Sequence, residues 1–396
     1  MAAGRRFAFI LVAYAFAVVM LGTTLPTPLY AIYRGAMGFS EFVVTLIFAA
    51  YAAGVIAALL LVGRWSDQIG RRRMLLAGVV LSAASAVTFL VGGVFLSLAA
   101  LVIGRVLSGL SAGIFTGTAT VAITELAPEG RQSRATLVAT AANIGGLGLG
   151  PVVAGILAQY AALPVLLPFI ADLGLLLAAG VCVILAPETV ATADRPRLRP
   201  QRPRVPAEVR AAFVPAAIAG FAGFMVLGLF TAVAPAFLTQ VMDLPNHALT
   251  GLVVFTLFAA STAGQFALER VSQRRALRAG CLMLIAGVGL VGAGVGTASL
   301  VLFVLGAAVG GLGQGLSFRA GLAAISANSP AARRGEVASA YFVILYVAIS
   351  LPVIGVGAAS QSFGLVAAGV TFTVIVAALS ASALAILLTR AKPESR

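Results

Sequence analysis

Apolar residues in this chain neither alternate nor form stripes; they run almost unbroken for twenty or more positions at a time. A helix rises 1.5 Å per residue, so about 20 apolar residues cross the hydrocarbon of a bilayer. The runs predict twelve spanning helices, at 7–30, 42–62, 74–95, 98–123, 135–158, 163–186, 211–239, 248–268, 279–297, 299–324, 337–359 and 363–389. The connections are shortest around 92–97, 159–163 and 360–364. Arg5 and Arg6 precede the first run, which extends from Phe7 to Leu25. It is longer than the apolar core of a secretory leader and is expected to stay as an uncleaved span.

Composition excludes an ordinary soluble fold. Of 396 residues, 61% are hydrophobic and 10% charged, with a mean hydropathy of +1.09; a typical globular chain is about 25% charged. A net charge of +14 would suit a nucleic-acid binder, but its placement does not. With both termini on the cytoplasmic side, alternate loops collect all but three of the 26 Lys and Arg residues, the exceptions being Arg34, Arg105 and Arg319. That asymmetry is the positive-inside rule. It predicts a multi-pass protein of the cell membrane and no nucleic-acid partner. Cys182 and Cys281 lie inside apolar runs and are read as small hydrophobes, with no metal or cofactor expected.

The one long polar stretch, rich in Pro and Arg, is placed at 187–210, between an N-terminal six-helix bundle at 1–186 and a C-terminal one at 211–396. It is read as a cytoplasmic tether along the anionic inner leaflet. The two halves share a pattern. Gly109-Leu110-Ser111-Ala112-Gly113 is followed by Pro128 and Arg131, and Gly311-Leu312-Gly313-Gln314-Gly315 by Pro330 and Arg333 at the same spacing. Duplication of this kind builds transporters whose site lies between two repeats.

The strongest local signal follows the second run: Gly63-Arg64-Trp65-Ser66-Asp67-Gln68-Ile69-Gly70-Arg71-Arg72-Arg73. Its glycines permit a tight turn, and its carboxylate can pair with arginine and face a helix N-terminus. The segment resembles the G-x-x-x-D-x-x-G-R-R loop signature of the major facilitator superfamily. Arg105-x-x-x-Gly109-x-x-x-Gly113 is similar to that superfamily's fourth-span motif. Gly146-x-x-x-Gly150-Pro151-x-x-x-Gly155 resembles the fifth-span motif of its twelve-span drug–proton antiporter branch, as do Leu21-Gly22 with Pro26 and Pro28, and Pro187-Glu188-Thr189. The resemblance implies two bundles rocking about a central cavity. It also implies a latch of Gly63, Asp67, Gly70, Arg71 and Arg72 that closes the cytoplasmic side against Arg334 to Ala338. The second-half loop, Glu269 to Arg275, lacks the matching acid.

Ionisable groups inside spans default to function because burying them is costly. Arg105 is the first candidate for contact with substrate or a coupled carboxylate; a tie to backbone carbonyls is the alternative. Asp172, read as about 13 Å into the sixth span by helix rise, is the proton-site candidate. Arg319 sits near the inner end of span ten, where contact with substrate in the cavity and snorkelling to the interface are its two readings. Arg34 and Glu41 are read as outer-rim charges, Glu125 as a cap or loop charge, and Asp243 and His247 as members of a solvated outer loop. In the family, spans one, four, seven and ten line the cavity, which suggests Thr23, Thr27, Phe115, Phe224, Gln265, Gln314 and Tyr346 as lining groups. A mostly apolar lining favours lipophilic cargo.

These features predict an all-α secondary transporter that exports small molecules in exchange for protons by alternating access; the resemblance implies that it works as a monomer. A proton-coupled or facilitative importer on the same fold is the first alternative. The sequence has no ATP-binding loop and no catalytic cluster of the kind a membrane enzyme needs.

Overall fold

The computed structural model describes residues 2–62, 65–127, 132–190, 200, 203–267, 271–330 and 333–389. Gly63, Arg64, Pro128, Arg131, Glu269, Arg270, linker residues 191–199 and 201–202, and the tail from Arg390 lie outside the described residues.

Among the described residues, twelve helices are long and apolar enough to cross a membrane. Span one is Ala2–Thr24, a 3-10 turn Thr27–Leu29 and a short helix Tyr30–Met37. Spans two to six are Glu41–Val62, Arg71–Phe95, Leu98–Leu126, Gln132–Tyr160 and Leu167–Leu185. Span seven is Arg210–Ala232, continued by Ala234–Ala236 and a π-helical turn Phe237–Val241. Spans eight to twelve are His247–Ala267, Gln273–Gly296, Leu300–Ala327, Arg334–Phe363 and Leu365–Thr389. Large apolar side chains face outward, with Phe95, Leu177 and Phe363 each about three-quarters exposed (75%, 75% and 76%). Lipid is the solvent that makes this outer surface stable.

Some predicted boundaries hold and others shift. Span three ends at Phe95, where the apolar run ends, and only Leu96 and Ser97 separate it from span four. Leu96 takes a left-handed conformation (φ 50°), and the Ser97 hydroxyl caps span four by accepting from the Ala100 amide at 3.3 Å. Spans nine and ten are joined the same way: Ala298 has φ 53°, and the Ser299 hydroxyl accepts from the Leu302 amide at 3.4 Å. This repeated turn supports the duplication and was not read from the sequence. Gly364 alone, at φ +81°, joins spans eleven and twelve. Span six begins at Leu167, so Asp172 lies five residues from its start, about 7.5 Å by helix rise, rather than the expected 13 Å.

The chain divides into two compact units. One comprises Met1–Arg202 with Asn246–Phe255; the other comprises Pro203–Pro245 with Thr256–Arg396. In the first unit, span four packs on spans two and three, and span one on spans four, five and six. Gly109 meets the Tyr51 carbonyl and Gly54, and Gly113 meets Ala58 and Val55, so the fourth-span glycines seat span two. In the second unit, span ten packs on seven and nine, with Gly287 on Gly310 and Gly280 on Gly313. Lipid gives helices no hydrophobic reason to associate; close backbone approach supplies dispersion instead.

Candidate functional site

The loop before span three is organised around Arg71. Gly70 adopts φ 109°, a backbone that L side chains rarely enter, and so turns the chain directly into the helix. The Arg71 guanidinium, 9% exposed, meets Asp67 Oδ1 at 2.5 Å and Glu125 Oε1 at 3.1 Å. It also donates to Ser66 Oγ at 2.7 Å. The Asp67 side chain is 59% exposed, so water screens its half of the arrangement. Glu188 covers the helix N-terminus: its carboxylate accepts from the Arg71 amide at 2.7 Å and the Arg72 amide at 3.1 Å. An anion here meets both unpaired amides and the positive end of the helix dipole. Thr189 Oγ1 donates to Glu125 Oε2 at 2.5 Å, and Arg5 donates to the Glu125 carbonyl at 2.9 Å.

Arg71, rather than Asp67, is therefore the centre of this polar network, which takes in Glu125 and Glu188 as well; Glu125 does more than cap a helix or sit in a loop. The Pro187-Glu188-Thr189 signature was the available signal for Glu188. Arg72 contributes its backbone amide, and Gly63 lies outside the described residues.

The second centre is the break in span one. Pro26 and Pro28 lack amide hydrogens, so the helix gives way at Leu25 to a 3-10 turn. Arg105, 1% exposed, closes on this break from span four. Its Nη1 donates to the Thr23 carbonyl at 2.5 Å, and its Nε donates to Tyr30 Oη at 2.6 Å, with Nη2 on the same hydroxyl. Its guanidinium carbon lies 5.3 Å from the Tyr30 ring centroid, 5.7 Å from Phe48, 5.8 Å from Tyr51 and 6.0 Å from Phe89. No carboxylate pairs with Arg105 among the described residues; aromatic faces, a carbonyl and a hydroxyl stabilise the charge instead.

Span five meets the same break. Gly146 lies on the Ala17 carbonyl and Met20, and Gly150 on Leu21, Thr24 and Leu25. Pro151 removes the helical donor for the Leu147 carbonyl, and Thr24 Oγ1 donates to that carbonyl at 2.7 Å. Gly155 meets His247 and Ala248, and Gly251 meets the Pro151 carbonyl. His247 is thus the first residue of span eight, half-buried, with its amide donating to Gln159 Oε1 at 2.9 Å. The sequence had placed it in a loop.

From span six, Asp172 is 3% exposed, and its Oδ1 has no hydrogen-bond partner among the described residues. The carboxyl lies against Gly22, on the turn before the break. Thr23 is 2% exposed and donates from its hydroxyl to the Met20 carbonyl at 2.7 Å; Thr27 is fully buried. Phe115 packs on Phe16 at 6.2 Å between centroids and on Gly78. Arg34 and Glu41 form an ion pair at 3.0 Å.

The second unit gathers its own candidates. Ser261 Oγ donates to Gln314 Oε1 at 2.5 Å, Gln265 Nε2 reaches Ser261 Oγ at 3.5 Å, and Arg319 donates to the Gln265 carbonyl at 2.6 Å. Phe224 lies 6.4 Å from Tyr346 and 5.5 Å from Phe318, a residue not picked from sequence. A separate apolar cavity of about 630 Å³ sits among spans seven, eleven and twelve, beside Phe221, Pro352 and Phe372. None of the expected lining residues borders it.

The comparisons with known proteins agree with this architecture. A bacterial homolog of the human lysosomal transporter Spinster, inward-facing, superposes with a TM-score of 0.73 at 15% identity, over 99% of each chain. The human organic anion transporter MFSD10 gives 0.67 at 17% identity, over 97% of this chain and 99% of that one. A POT family transporter in complex with 5-aminolevulinic acid gives 0.78 at 13% identity, over 98% and 97%. At these identities the likeness is one of fold. The sequence profile of the Major Facilitator Superfamily matches residues 10–351, most of the chain. With twelve apolar spans and that match, the chain belongs to the Major Facilitator Superfamily: a multi-pass membrane protein that carries out secondary transport by alternating access, not an enzyme.

Proposed function

We propose that the protein is a proton-coupled exporter of small lipophilic molecules, an antiporter in the manner of the drug–proton branch its motifs resemble. It works as a monomer in the cell membrane with both termini cytoplasmic. The bundles at 1–186 and 211–396 are its moving bodies, and 187–210 is their cytoplasmic tether. The observation that carries this reading is the seating of the fifth-span motif on the break in span one. Gly146 and Gly150 admit the backbone of span one, and Thr24 occupies the carbonyl that Pro151 frees. The residues typical of that branch thus act on one another and on the helix that, in the family, borders the cavity. The half-buried Phe224 and Tyr346 offer apolar faces, while the Gln314 amide is buried and bonded to Ser261, as suits lipophilic cargo. The Arg71 network latches the cytoplasmic side; releasing it costs about 1.5–3 kcal/mol for a charge-assisted hydrogen bond sheltered from water, and under about 1 kcal/mol for the exposed Asp67 pair.

Purified protein in proteoliposomes, with a lipophilic cation such as tetraphenylphosphonium as probe, tests the assignment. An imposed pH gradient should drive the probe against the proton flow and acidify the compartment it leaves. Probe and protons moving together would establish import. Flux indifferent to the gradient would remove proton coupling.

A further inference from the structure

Asp172 is a buried acid that the motifs leave without a task. Its Oδ1 has no partner among the described residues, and its surroundings include Phe169 and Leu176 on its own helix, both 1% exposed. What it touches is informative. A methyl group on Gly22 would lie 2.9 Å from Oδ2 and 3.2 Å from Oδ1, so the carboxyl is pressed against the backbone of span one. Residue 26 is a proline, so the Gly22 carbonyl has no amide four residues on to bond it. The next carbonyl, that of Thr23, is taken by Arg105. The carboxyl therefore abuts a residue whose own carbonyl lacks a helical donor. A carboxylate is acceptor-only, whereas a carboxylic acid carries one O–H donor. Protonation gives Asp172 the donor that this turn of helix lacks.

We propose that Asp172 binds the coupled proton and that its protonation state sets the grip of span six on the break in span one. Protonated, the acid donates to the turn at Gly22 and holds it. Ionised, it repels the same turn and loosens the segment whose next residue anchors Arg105 and, through it, Tyr30. Span six thereby reads the proton while span four reads the consequence, through two adjacent residues of one helix. Its distance of five residues from the start of span six gives protons a short path to that end of the bundle.

The neighbouring ionisable groups are few. Span one carries Tyr14, Tyr30 and Tyr33, with Arg5, Arg6 and Arg34 toward its ends; span three carries Arg71 to Arg73 only at its start; span five carries Arg134 and Tyr160 at its ends. Cys182 lies ten residues along span six. Tyr14 Oη donates to the Leu175 carbonyl at 3.5 Å, and Arg105 is engaged by Tyr30 and Thr23. His247 reaches the Pro28 backbone at the far side of the break and is the competing source of pH dependence.

This inference rests on the proton-coupled reading, so its test does not depend on transport. Infrared spectra of the protein in lipid nanodiscs, titrated from about pH 5 to about pH 9, should show a protonated carboxyl band that Asp172→Asn lacks and His247→Gln keeps. Hydrogen exchange of amides 20–29, taken as the ratio of variant to wild type at each pH, is the second readout. The Asp172→Asn to wild-type ratio should fall from about 1 at acid pH to about one-fifth at alkaline pH, the factor one net hydrogen bond represents. Asp172→Asn, which keeps a donor at every pH, should stay slow throughout. If Asp172→Asn does not fold, Gly22→Ala serves instead: its methyl displaces the carboxyl and should shift the midpoint of the band. Identical titrations in wild type and Asp172→Asn, an unmoved midpoint in Gly22→Ala, or loss of the pH response in His247→Gln would each overturn the proposal. Tetraphenylphosphonium flux indifferent to ΔpH, with the infrared titration intact, would remove proton-driven export and leave Asp172 as a proton site.

Discussion

Thr24 offers a sharp test of how the first unit is held together. Its hydroxyl hydrogen points to the Leu147 carbonyl at 2.7 Å, with a weaker approach to the Leu21 carbonyl at 3.4 Å. Thr24→Val keeps the shape and removes the donor. Interhelical hydrogen bonds in membrane proteins average about 0.6 kcal/mol and reach about 1.7. A buried carbonyl left with no donor adds a desolvation cost of about 1–3 kcal/mol. Because Pro151 denies Leu147 its helical donor, the upper part of the first range applies, and we expect a loss of about 1.5 kcal/mol. Pro151→Ala restores an amide four residues after Leu147, so in that background the same Thr24→Val change should cost about 0.5 kcal/mol or less. The coupling of about 1 kcal/mol is measurable as a double-mutant cycle by steric-trap unfolding in bicelles. A coupling below about 0.3 kcal/mol, within the usual error of additivity, would refute the pairing of Thr24 with a proline-orphaned carbonyl.

The same logic gives three further expectations. Gly145 has nothing within 4 Å of a would-be methyl, while Gly150, just over one turn on, meets the Leu21 carbonyl and Thr24. Gly145→Ala should therefore gain up to about 1 kcal/mol of helix propensity, and Gly150→Ala should destabilise and slow transport, a difference in sign that thermal melting in detergent will show. Asp67→Asn should cut transport with little change in stability, because an exposed pair contributes under about 1 kcal/mol, whereas Arg71→Ala strands Glu125 and should lower the melting temperature as well; equal melting temperatures would argue against Arg71 as the hub. Arg105→Lys cannot keep both Tyr30 and the Thr23 carbonyl in one fork, so its effect on transport and that of Tyr30→Phe should overlap rather than add.

The twelve spans were legible because lipid demands unbroken apolar runs and the arginines mark the intervening loops. Some of their ends were less so. Gly92 and Gly93 lie in helix, within the predicted span 74–95, and admit Leu101 and Val165 at close range. In lipid, glycine is a packing residue as much as a turn residue. The apolar turn at 163–166 carries no polar signal, so it was counted as part of span six and Asp172 was placed too deep. The candidate site divided similarly. Arg71, Arg105 and the fifth-span glycines stood out by residue type and spacing. Their partners did not, because Glu125 and Glu188 reach Arg71 across 54 and 117 residues. No local pattern encodes such a pairing.

The oddities of the first unit converge on one turn of helix. Two prolines in span one interrupt its ladder and leave carbonyls without helical donors; a third, Pro151, does the same to Leu147 in the neighbouring span. Each unusual polar side chain nearby addresses that turn: Arg105 donates to Thr23, Thr24 donates to Leu147, and Asp172 abuts Gly22. An unbroken helix would satisfy its own backbone and give these groups nothing to hold. The break therefore makes the surrounding spans interdependent, since shifting span four or five must exchange a backbone hydrogen bond that lipid cannot replace. A helix held this way has few intermediate positions, and discrete positions are what a transporter needs if its substrate is to face one side at a time.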